Sequence, residues 1–405
     1  MDEAWMAKTP TQAVILAGGL GTRLGEVTKV TPKPLVPVLD VPFLHHLIGN
    51  VVRHGFTDIV LLCGYMAEKF DVLTEPGVFG EATVRLSIEP PGLLGTGGAV
   101  RHAAPLLDER FLLMNGDTFF DINLLDLCTE PDDGAWMRMA LRREPAAGRY
   151  GSVALEDGRV TGFDASAEDG DGLINGGVYC MDRRVLGEIG PGACSIERDV
   201  FPVLARAGRV EGRVYEGRFL DIGVPLDLAR ADGFVEAVRT RPAAFFDRDG
   251  VLNIDHGYVH SADRLDWVDG ARETVKALND AGYYVFVVTN QAGVARGYYG
   301  REQVEAFHRH LNEDLRNIGA HIDAFEYCPF HPEGIVEEFS FSSRRRKPEP
   351  GMLLDLIECW PVKKSGSFLI GDRETDLEAA RAAGVKDFLF PGGDLFAFCK
   401  NLRLV

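Results

Sequence analysis

Two aspartates stand two residues apart in Phe245-Phe-Asp-Arg-Asp-Gly-Val-Leu252, at the end of an apolar run. In an extended segment residues i and i+2 share one face, so Asp247 and Asp249 are expected to point the same way, with Arg248 opposed. One carboxylate of such a pair can attack phosphorus and form an acyl phosphate. The other can protonate the leaving alcohol and then deprotonate a water. A calcium loop is the rival reading of Asp-x-Asp-Gly, but it needs further oxygen ligands and a glutamate in register. Val251, Leu252, Asn253 and Ile254 follow instead, and position 258 is Tyr258. Thr289 ends another apolar run and offers a hydroxyl and an N–H to phosphate. Lys347, in Arg344-Arg-Arg-Lys-Pro-Glu-Pro-Gly351, offers a compact cation, and Gly371-Asp-Arg-Glu-Thr-Asp376 supplies Asp372 for Mg²⁺. Asp376 reads as a helix cap or a group behind the metal ligands.

A second set of residues lies upstream. In Leu16-Ala-Gly-Gly-Leu-Gly-Thr-Arg-Leu24 the backbone of Gly18, Gly19, Gly21 and Thr22 can wrap a polyphosphate, and Arg23 adds a cationic fork. Lys33, between two prolines in Thr31-Pro-Lys-Pro-Leu35, sits on a stiff segment that holds one ammonium in place. Gly95-Thr96-Gly-Gly98 reads as a second glycine-rich turn, against which a base or sugar could lie. Asn115-Gly116-Asp117 and Phe219-Leu-Asp221-Ile-Gly223 each end an apolar strand in a carboxylate, and two carboxylates with phosphate oxygens make a Mg²⁺ site.

The elements that must carry these groups alternate between strand and helix. Residues 13–16, 58–63 and 111–114 read as strands and 43–54 as a helix. An independent rhythm starts at Ala243, with strands at 243–246, 284–288 and 368–370 and a helix at 272–281 closed by Gly282. This order argues for parallel sheets with helices on both faces and ligands at the carboxyl ends of the strands. Residues 226–239 read as one helix, broken by Thr240-Arg241-Pro242, where the boundary between two domains is placed.

A chain of 405 residues is too long for one ordinary core, and 46% hydrophobic residues suffice for two. The net charge of −18 disfavours nucleic acid and membrane as partners, so phosphate binding must rest on Mg²⁺ and a few placed cations. The basic run 344–347, in so acidic a chain, reads as a contact for substrate phosphate. Seven scattered cysteines without a Cys-x-x-Cys, no signal-like start and no membrane-length apolar run point to a cytoplasmic protein with reduced thiols.

From Gln12 to about Glu236 the chain resembles the sugar-1-phosphate nucleotidyltransferases, and within them the heptose-1-phosphate guanylyltransferase group. The resemblance rests on Gly-Gly-Leu-Gly-Thr-Arg-Leu, Pro-Lys-Pro, Leu-Gly-Thr-Gly-Gly, Asn-Gly-Asp, Arg149-Tyr-Gly151, Ile174-Asn-Gly-Gly-Val-Tyr179 and Asp-Ile-Gly-x-Pro. It implies in-line attack of a sugar phosphate on the α-phosphorus of a nucleoside triphosphate, GTP by the likeness, with pyrophosphate leaving. It makes Arg23 and Lys33 transition-state cations and Asp117 and Asp221 Mg²⁺ ligands. Tyr150, Gly151, Asn175 and Glu197 become the sugar pocket. Relatives carry Phe-x-Glu-Lys where this chain has Phe163-Asp-Ala-Ser166, so a sugar-phosphate lysine is missing, for which Arg142, Arg143 or Arg149 could substitute.

From Ala243 to Gly393 the chain resembles the haloacid dehalogenase superfamily, in particular the heptose 1,7-bisphosphate and histidinol phosphatases. The matching stretches are Asp255-His-Gly-Tyr-Val-His260, Thr289-Asn-Gln-Ala-Gly-Val-Ala-Arg-Gly297 and Arg346-Lys-Pro-x-Pro-Gly-Met352. By position Asp247 is the nucleophile and Asp249 the acid/base, while Thr289 and Lys347 stabilise the phosphoryl group. Asn290, Arg296 and Arg346 read the substrate, and Asp247, the Asp249 carbonyl and Asp372 hold Mg²⁺. Relatives also carry a zinc loop. Here Phe330, Ser343 and Arg345 replace three of its four ligands, leaving Cys328, with His331 as the one rescue, so no structural zinc is expected. The loop 333–346 must then be held by packing, or be mobile.

Together the resemblances imply an α/β chain of two Rossmann-like domains, a mixed sheet over 10–239 and a parallel sheet over 243–395. They also imply consecutive steps toward a GDP-heptose. The alternatives are the same two reactions on another sugar phosphate, or an active phosphatase carrying a sugar-nucleotide-sensing N-terminal domain. The oligomeric state is not legible.

Overall fold

In the computed structural model residues 9–405 are described, apart from 91, 93, 132–133, 146–150 and 165–171. The chain divides into two compact units between Val238 and Arg239.

The strands of the first unit run in order β1 (Gln12–Leu16), β2 (Pro37–Val38), β3 (Val41–Pro42), β4 (Asp58–Cys63), β5 (Thr83–Ile88), β6 (Arg110–Asn115) and β7 (Thr118–Phe120). Then follow β8 (Met137–Glu144), β9 (Ser152–Glu156), β10 (Arg159–Asp164), β11 (Gly172–Asp182), β12 (Val210–Val214) and β13 (Phe219–Asp221). Nine of them form a mixed sheet in the order β5-β4-β1-β6-β11-β8-β12-β10-β9. β5, β4, β1 and β6 are mutually parallel, so their carboxyl ends share one edge. β1 reads as an unbroken apolar run because helices cover both faces. Ala13 and Ile15 enter one core cluster and Val14 the other.

The first unit's helices are α1 (Phe43–Arg53), α2 (Gly95–His102), α3 (Leu124–Leu127), α4 (Phe201–Arg206), α5 (Pro225–Leu228) and α6 (Ala231–Arg239). α1 buries Phe43, Leu44, Leu47, Ile48 and Val51, a stripe at helical spacing. Leu47→Ala there costs about 2–5 kcal/mol. Two expectations are corrected. The helix expected over 226–239 is two helices. The Arg230 N–H bonds the Asp227 carbonyl three residues back, a tightened turn that separates α5 from α6. Gly95–Gly98, expected as a turn, is the start of α2. Its glycines are needed for close packing: the Gly97 N–H donates to the Cys194 carbonyl at 2.9 Å.

The second unit is a five-stranded sheet in the order β16-β15-β14-β17-β18, all parallel. The strands are β14 (Ala243–Phe246), β15 (Tyr284–Asn290), β16 (Ala324–Cys328), β17 (Phe368–Gly371) and β18 (Lys386–Leu389). The helices are α7 (Ala271–Asp280), α8 (Ala292–Ala295), α9 (Arg301–Arg316), α10 (Gly351–Cys359), α11 (Glu374–Ala383) and α12 (Leu395–Asn401). Leu395 and Cys399 of α12 join the core of Ala271 and Val275, so this unit runs past residue 395 to the end of the chain.

Candidate active sites

The first site lies at the carboxyl edge of β1, β4, β5 and β6. It is a cavity of about 480 Å³ lined by Gly18, Gly19, Gly21, Thr22, Arg23, Lys33, Gly95, Thr96, Asp117 and Glu197, among others. Asp117 follows β6, and Asp221 is brought beside it because β13 pairs antiparallel with β7, setting Asp221 against Thr118. Lys33 is only 6% exposed, at the start of a single 3₁₀ turn from Lys33 to Leu35. Its Nζ lies 2.6 Å from Asp117 and 3.6 Å from Asp221. Burial and the Asp117 charge raise the Asp221 carboxyl above its ordinary range, against the pull of Lys33, the Gly223 N–H and Arg23. Two carboxylates converging on one cation suit a divalent ion as well as an ammonium.

Other expected groups fall elsewhere. Gly116 does not line the cavity, and its N–H is bonded to the Leu16 carbonyl at 2.9 Å. Asn175 and Gly151 are also outside the lining; the Asn175 amide donates to the Tyr179 hydroxyl and accepts the Gly177 N–H. Arg149, Tyr150 and Ser166 lie outside the described residues. Arg142 is held by the Gly217 carbonyl at 3.1 Å and by Glu144 at 3.2 Å, and Arg143 is exposed. Glu197 accepts from the Thr96 hydroxyl at 2.7 Å, which ties the expected sugar side to α2.

Glu89 was not singled out in the sequence. It follows β5, lines the cavity, and its Oε2 accepts the Leu94 N–H at 2.8 Å, which fixes the carboxylate. Three strand spacings separate β5 from β6, roughly 14 Å. Only the fold reveals this, because nothing in the local sequence around Glu89 marks it.

The second site lies at the carboxyl edge of β14, β15 and β17. Asp247, Asp249, Thr289, Asn290, Arg296, Arg346, Lys347 and Asp376 line a cavity of about 440 Å³, together with Asp255, Tyr258, Gln291, His331, Arg373 and others. Lys347 Nζ lies 2.8 Å from Asp247 and 2.6 Å from Asp376 and is 3% exposed. Burial, with Asp376 and Asp249 nearby, lifts the Asp247 carboxyl to about 7 despite Lys347. Lys347 itself is pushed above its ordinary value because two carboxylates outweigh its burial. Asp376 also accepts the Arg373 N–H at 3.0 Å, so it both caps α11 and anchors Lys347.

Oxygens of Asp247, Asp372 and Asp376 all lie within 4.8 Å of one another. Asp376 is engaged as above, whereas Asp372 Oδ1 is buried with no hydrogen-bond partner. An orphaned carboxylate oxygen beside Asp247 fits a Mg²⁺ ion. Gly250, at φ 92°, lets Asp372 approach: a Cβ there would stand 2.5 Å from Asp372 Oδ2.

One expectation for this site is corrected. Arg248 is not opposed to Asp249. The chain leaves the strand at Asp247, and Arg248 folds back to bond the Asp249 carboxylate at 2.9 Å. Asn290 lines the cavity and also steadies Lys347. Its amide donates to the Lys347 carbonyl at 3.0 Å and accepts the Lys347 N–H at 3.1 Å, clamping the lysine's backbone. After Cys328, Phe330 packs against Phe341 at 4.5 Å and Phe339 at 5.9 Å between ring centroids, and Arg345 pairs with Glu326. Packing and an ion pair therefore hold the 333–346 loop.

A family model for nucleotidyl transferases matches residues 12–237. A HAD-hydrolase-like model matches residues 344–394. Over 164 residues the chain is 48% identical to D-glycero-beta-D-manno-heptose-1,7-bisphosphate 7-phosphatase of Rhodopseudomonas palustris, which covers 40% of this chain and 91% of that protein. The protein of the same description from Salmonella typhi is 40% identical over 144 residues, covering 36% of this chain and 77% of that one. Among solved structures, HddC from Yersinia pseudotuberculosis complexed with GMP-PN is 30% identical over 55% of this chain and 98% of that chain, with a TM-score of 0.49. Fold and sites thus define a bifunctional enzyme, a nucleotidyltransferase joined to a haloacid dehalogenase-like phosphatase. The chain belongs to the nucleotidyl transferase family and, through its C-terminal unit, to that of the heptose bisphosphate 7-phosphatases.

Proposed function

We propose that the chain activates a heptose in two consecutive reactions. The C-terminal unit removes the 7-phosphate of D-glycero-D-manno-heptose 1,7-bisphosphate. The N-terminal unit transfers a guanylyl group from GTP to the remaining 1-phosphate. The observation that carries this reading is the joining, in one chain, of a unit 48% identical to a heptose bisphosphate phosphatase and a nucleotidyltransferase unit. The product of the first reaction has the phosphate that the second requires.

In the phosphatase, Asp247 attacks the 7-phosphorus and the bond to the sugar oxygen breaks, while Asp249 gives its proton to that oxygen. Water then attacks the aspartyl-phosphate, its proton passes to Asp249, and Asp247 is released with inorganic phosphate. Lys347 and Thr289 hold the transferring group from the buried floor. Arg296 and Arg346 are partly exposed, and Arg373 is exposed. Arg296, Arg346 and Arg373 line the cavity as three cations, which a bound anion would counter. The second phosphate of a bisphosphate supplies that counter-charge.

In the transferase, the backbone after β1 wraps the triphosphate, and Arg23 and Lys33 neutralise charge on the α-phosphoryl group as the sugar phosphate attacks in line. Pyrophosphate leaves. Mg²⁺, held by Asp117 and Asp221 here and by Asp247, Asp372 and the Asp249 carbonyl in the phosphatase, would neutralise phosphate oxygens. Glu89 supports guanine as the base. A fixed carboxylate presents two acceptors, and guanine's N1–H and N2 amino group are an adjacent donor pair. Adenine and cytosine offer one donor beside an acceptor there, and uracil one donor between two acceptors.

Phosphate release from the α- and β-bisphosphates, and pyrophosphate release from each nucleoside triphosphate with heptose 1-phosphate, test the proposal. No turnover of any heptose bisphosphate would sink it. Nucleotide binding without pyrophosphate release would leave the N-terminal unit a sensor.

A further inference from the structure

Arg248, between the two phosphatase aspartates, has no exposed surface. Its Nε and Nη2 donate to Asp249 Oδ1 at 3.2 and 3.1 Å, and Nη2 reaches Oδ2 at 2.9 Å. Nη2 also donates to the Val259 carbonyl at 2.6 Å. Nη1 lies 3.3 Å from His308 Nε2, and the guanidinium sits 4.9 Å over the Phe307 ring. His308 is stacked on Phe325 at 4.5 Å between centroids, and burial and Arg248 keep it neutral, so it accepts from Arg248. Among the described residues Asp249 is the one carboxylate ion-paired with this buried cation.

Two amides complete the cradle. Asn253 Nδ2 donates to Asp249 Oδ1 at 3.0 Å, and Gln291 Nε2 to Oδ2 at 2.9 Å. Asn253 has no exposed surface, and Gln291 is itself fixed by the Tyr299 hydroxyl at 2.8 Å. Neither amide reaches both oxygens, whereas Arg248 does.

We propose that Arg248 is a positioning residue of the phosphatase, fixing the orientation of the Asp249 carboxylate and tying it to the segment 255–260 and to α9. Through Val259, Arg248 is joined to the segment whose Asp255, Gly257 and Tyr258 line the cavity. Proton transfer between Asp249 and the sugar oxygen, and later between water and Asp249, depends on that orientation. The inference rests on Asp249 as the acid/base, and Asp249→Asn tests that reading by itself.

The test is a double-mutant cycle in the full chain with Mg²⁺, using Arg248→Met, Asp249→Asn and the pair. On a heptose bisphosphate, R248M should lower kcat by about 100-fold, with KM changed by less than about 3-fold. In the D249N background R248M should change kcat by no more than about 2-fold, because the group it orients is gone. p-Nitrophenyl phosphate needs no proton on its leaving group, so R248M should release about one nitrophenolate per site in a burst and then turn over slowly, the second step still needing Asp249 as base. An equal loss of kcat with and without Asp249, a rise in KM alone, or a uniform loss on both substrates without a burst would overturn the proposal. Should circular dichroism show R248M unfolded, Arg248→Lys decides. Lysine keeps the charge but cannot bond both carboxylate oxygens and Val259, so full activity of R248K would also overturn it. Unimpaired D249N would instead remove the acid/base reading.

Discussion

Lys33 Nζ lies 2.6 Å from an Asp117 carboxylate oxygen, so a cation and a carboxylate of the transferase site are directly paired. Lys33→Met removes the cation and leaves Asp117 and Asp221 facing each other. Nucleotidyl transfer should fall by about 100- to 1000-fold, while phosphate release from a bisphosphate stays within about 2-fold of the parent. Asp247→Asn should do the reverse. Pyrophosphate and phosphate assays on the same preparations check both.

Mg²⁺ binding in the phosphatase should depend on pH. Asp247 is lifted to about 7 by burial and neighbouring carboxylates, and the ion binds only its ionised form. Affinity should therefore weaken by about 10-fold per unit below that pH and level off above it. Calorimetric titration of Mg²⁺ at several pH values measures this. In the metal-free protein the sign for stability is opposite. The folded carboxyl holds its proton where the unfolded one has lost it, so the second unit loses stability as pH rises from the ordinary carboxylate range to about 7.

Glu89→Gln exchanges two acceptors for one acceptor and one donor. Discrimination for GTP over UTP, read as a ratio of kcat/KM, should fall by at least about 10-fold. In the parent enzyme inosine triphosphate, which lacks the 2-amino group, should be a poorer substrate than GTP by about 10-fold. Equal use of the two would remove the assignment of Glu89.

Zinc should be dispensable. The loop after Cys328 is held by Phe330, Phe339, Phe341 and the Arg345–Glu326 pair. Purified protein should contain less than about 0.1 zinc per chain, and a zinc chelator should leave its Tm unchanged. Phe341→Ala, by contrast, should lower the Tm of the second unit and raise KM for the bisphosphate, because Arg346 and Lys347 follow directly on this loop.

Much of the scaffold was legible where an apolar run ends in glycine or a polar cluster. The strand at 58–63 and the strand at 243–246 have the expected bounds, and α1 differs by one residue. The first helix turn at Gly95 was not legible, since glycine content argues against a helix and only the Cys194 carbonyl beside it explains the choice. Asp117 and Asp221 were recognisable as strand-end carboxylates, but their meeting depends on the β7–β13 pairing, a contact without a local signature. The same limit hid Glu89 and the turn of Arg248 toward Asp249. Period-two reasoning holds only while the chain stays extended, and here the strand has ended at Phe246.

The strand order of the second unit has a consequence for synthesis. β14, carrying the nucleophile at its end, lies between β15 and β17, and β17 is followed by the metal-ligand candidate Asp372. A ribosome delivers β14 more than a hundred residues before β17, so Asp247 waits beside an open strand edge until Phe368 has emerged. The transferase unit waits in the same way for β13 to reach β7, but its last strand ends at Asp221, before β14 begins. A growing chain can thus gain its second reaction's catalyst well before its first.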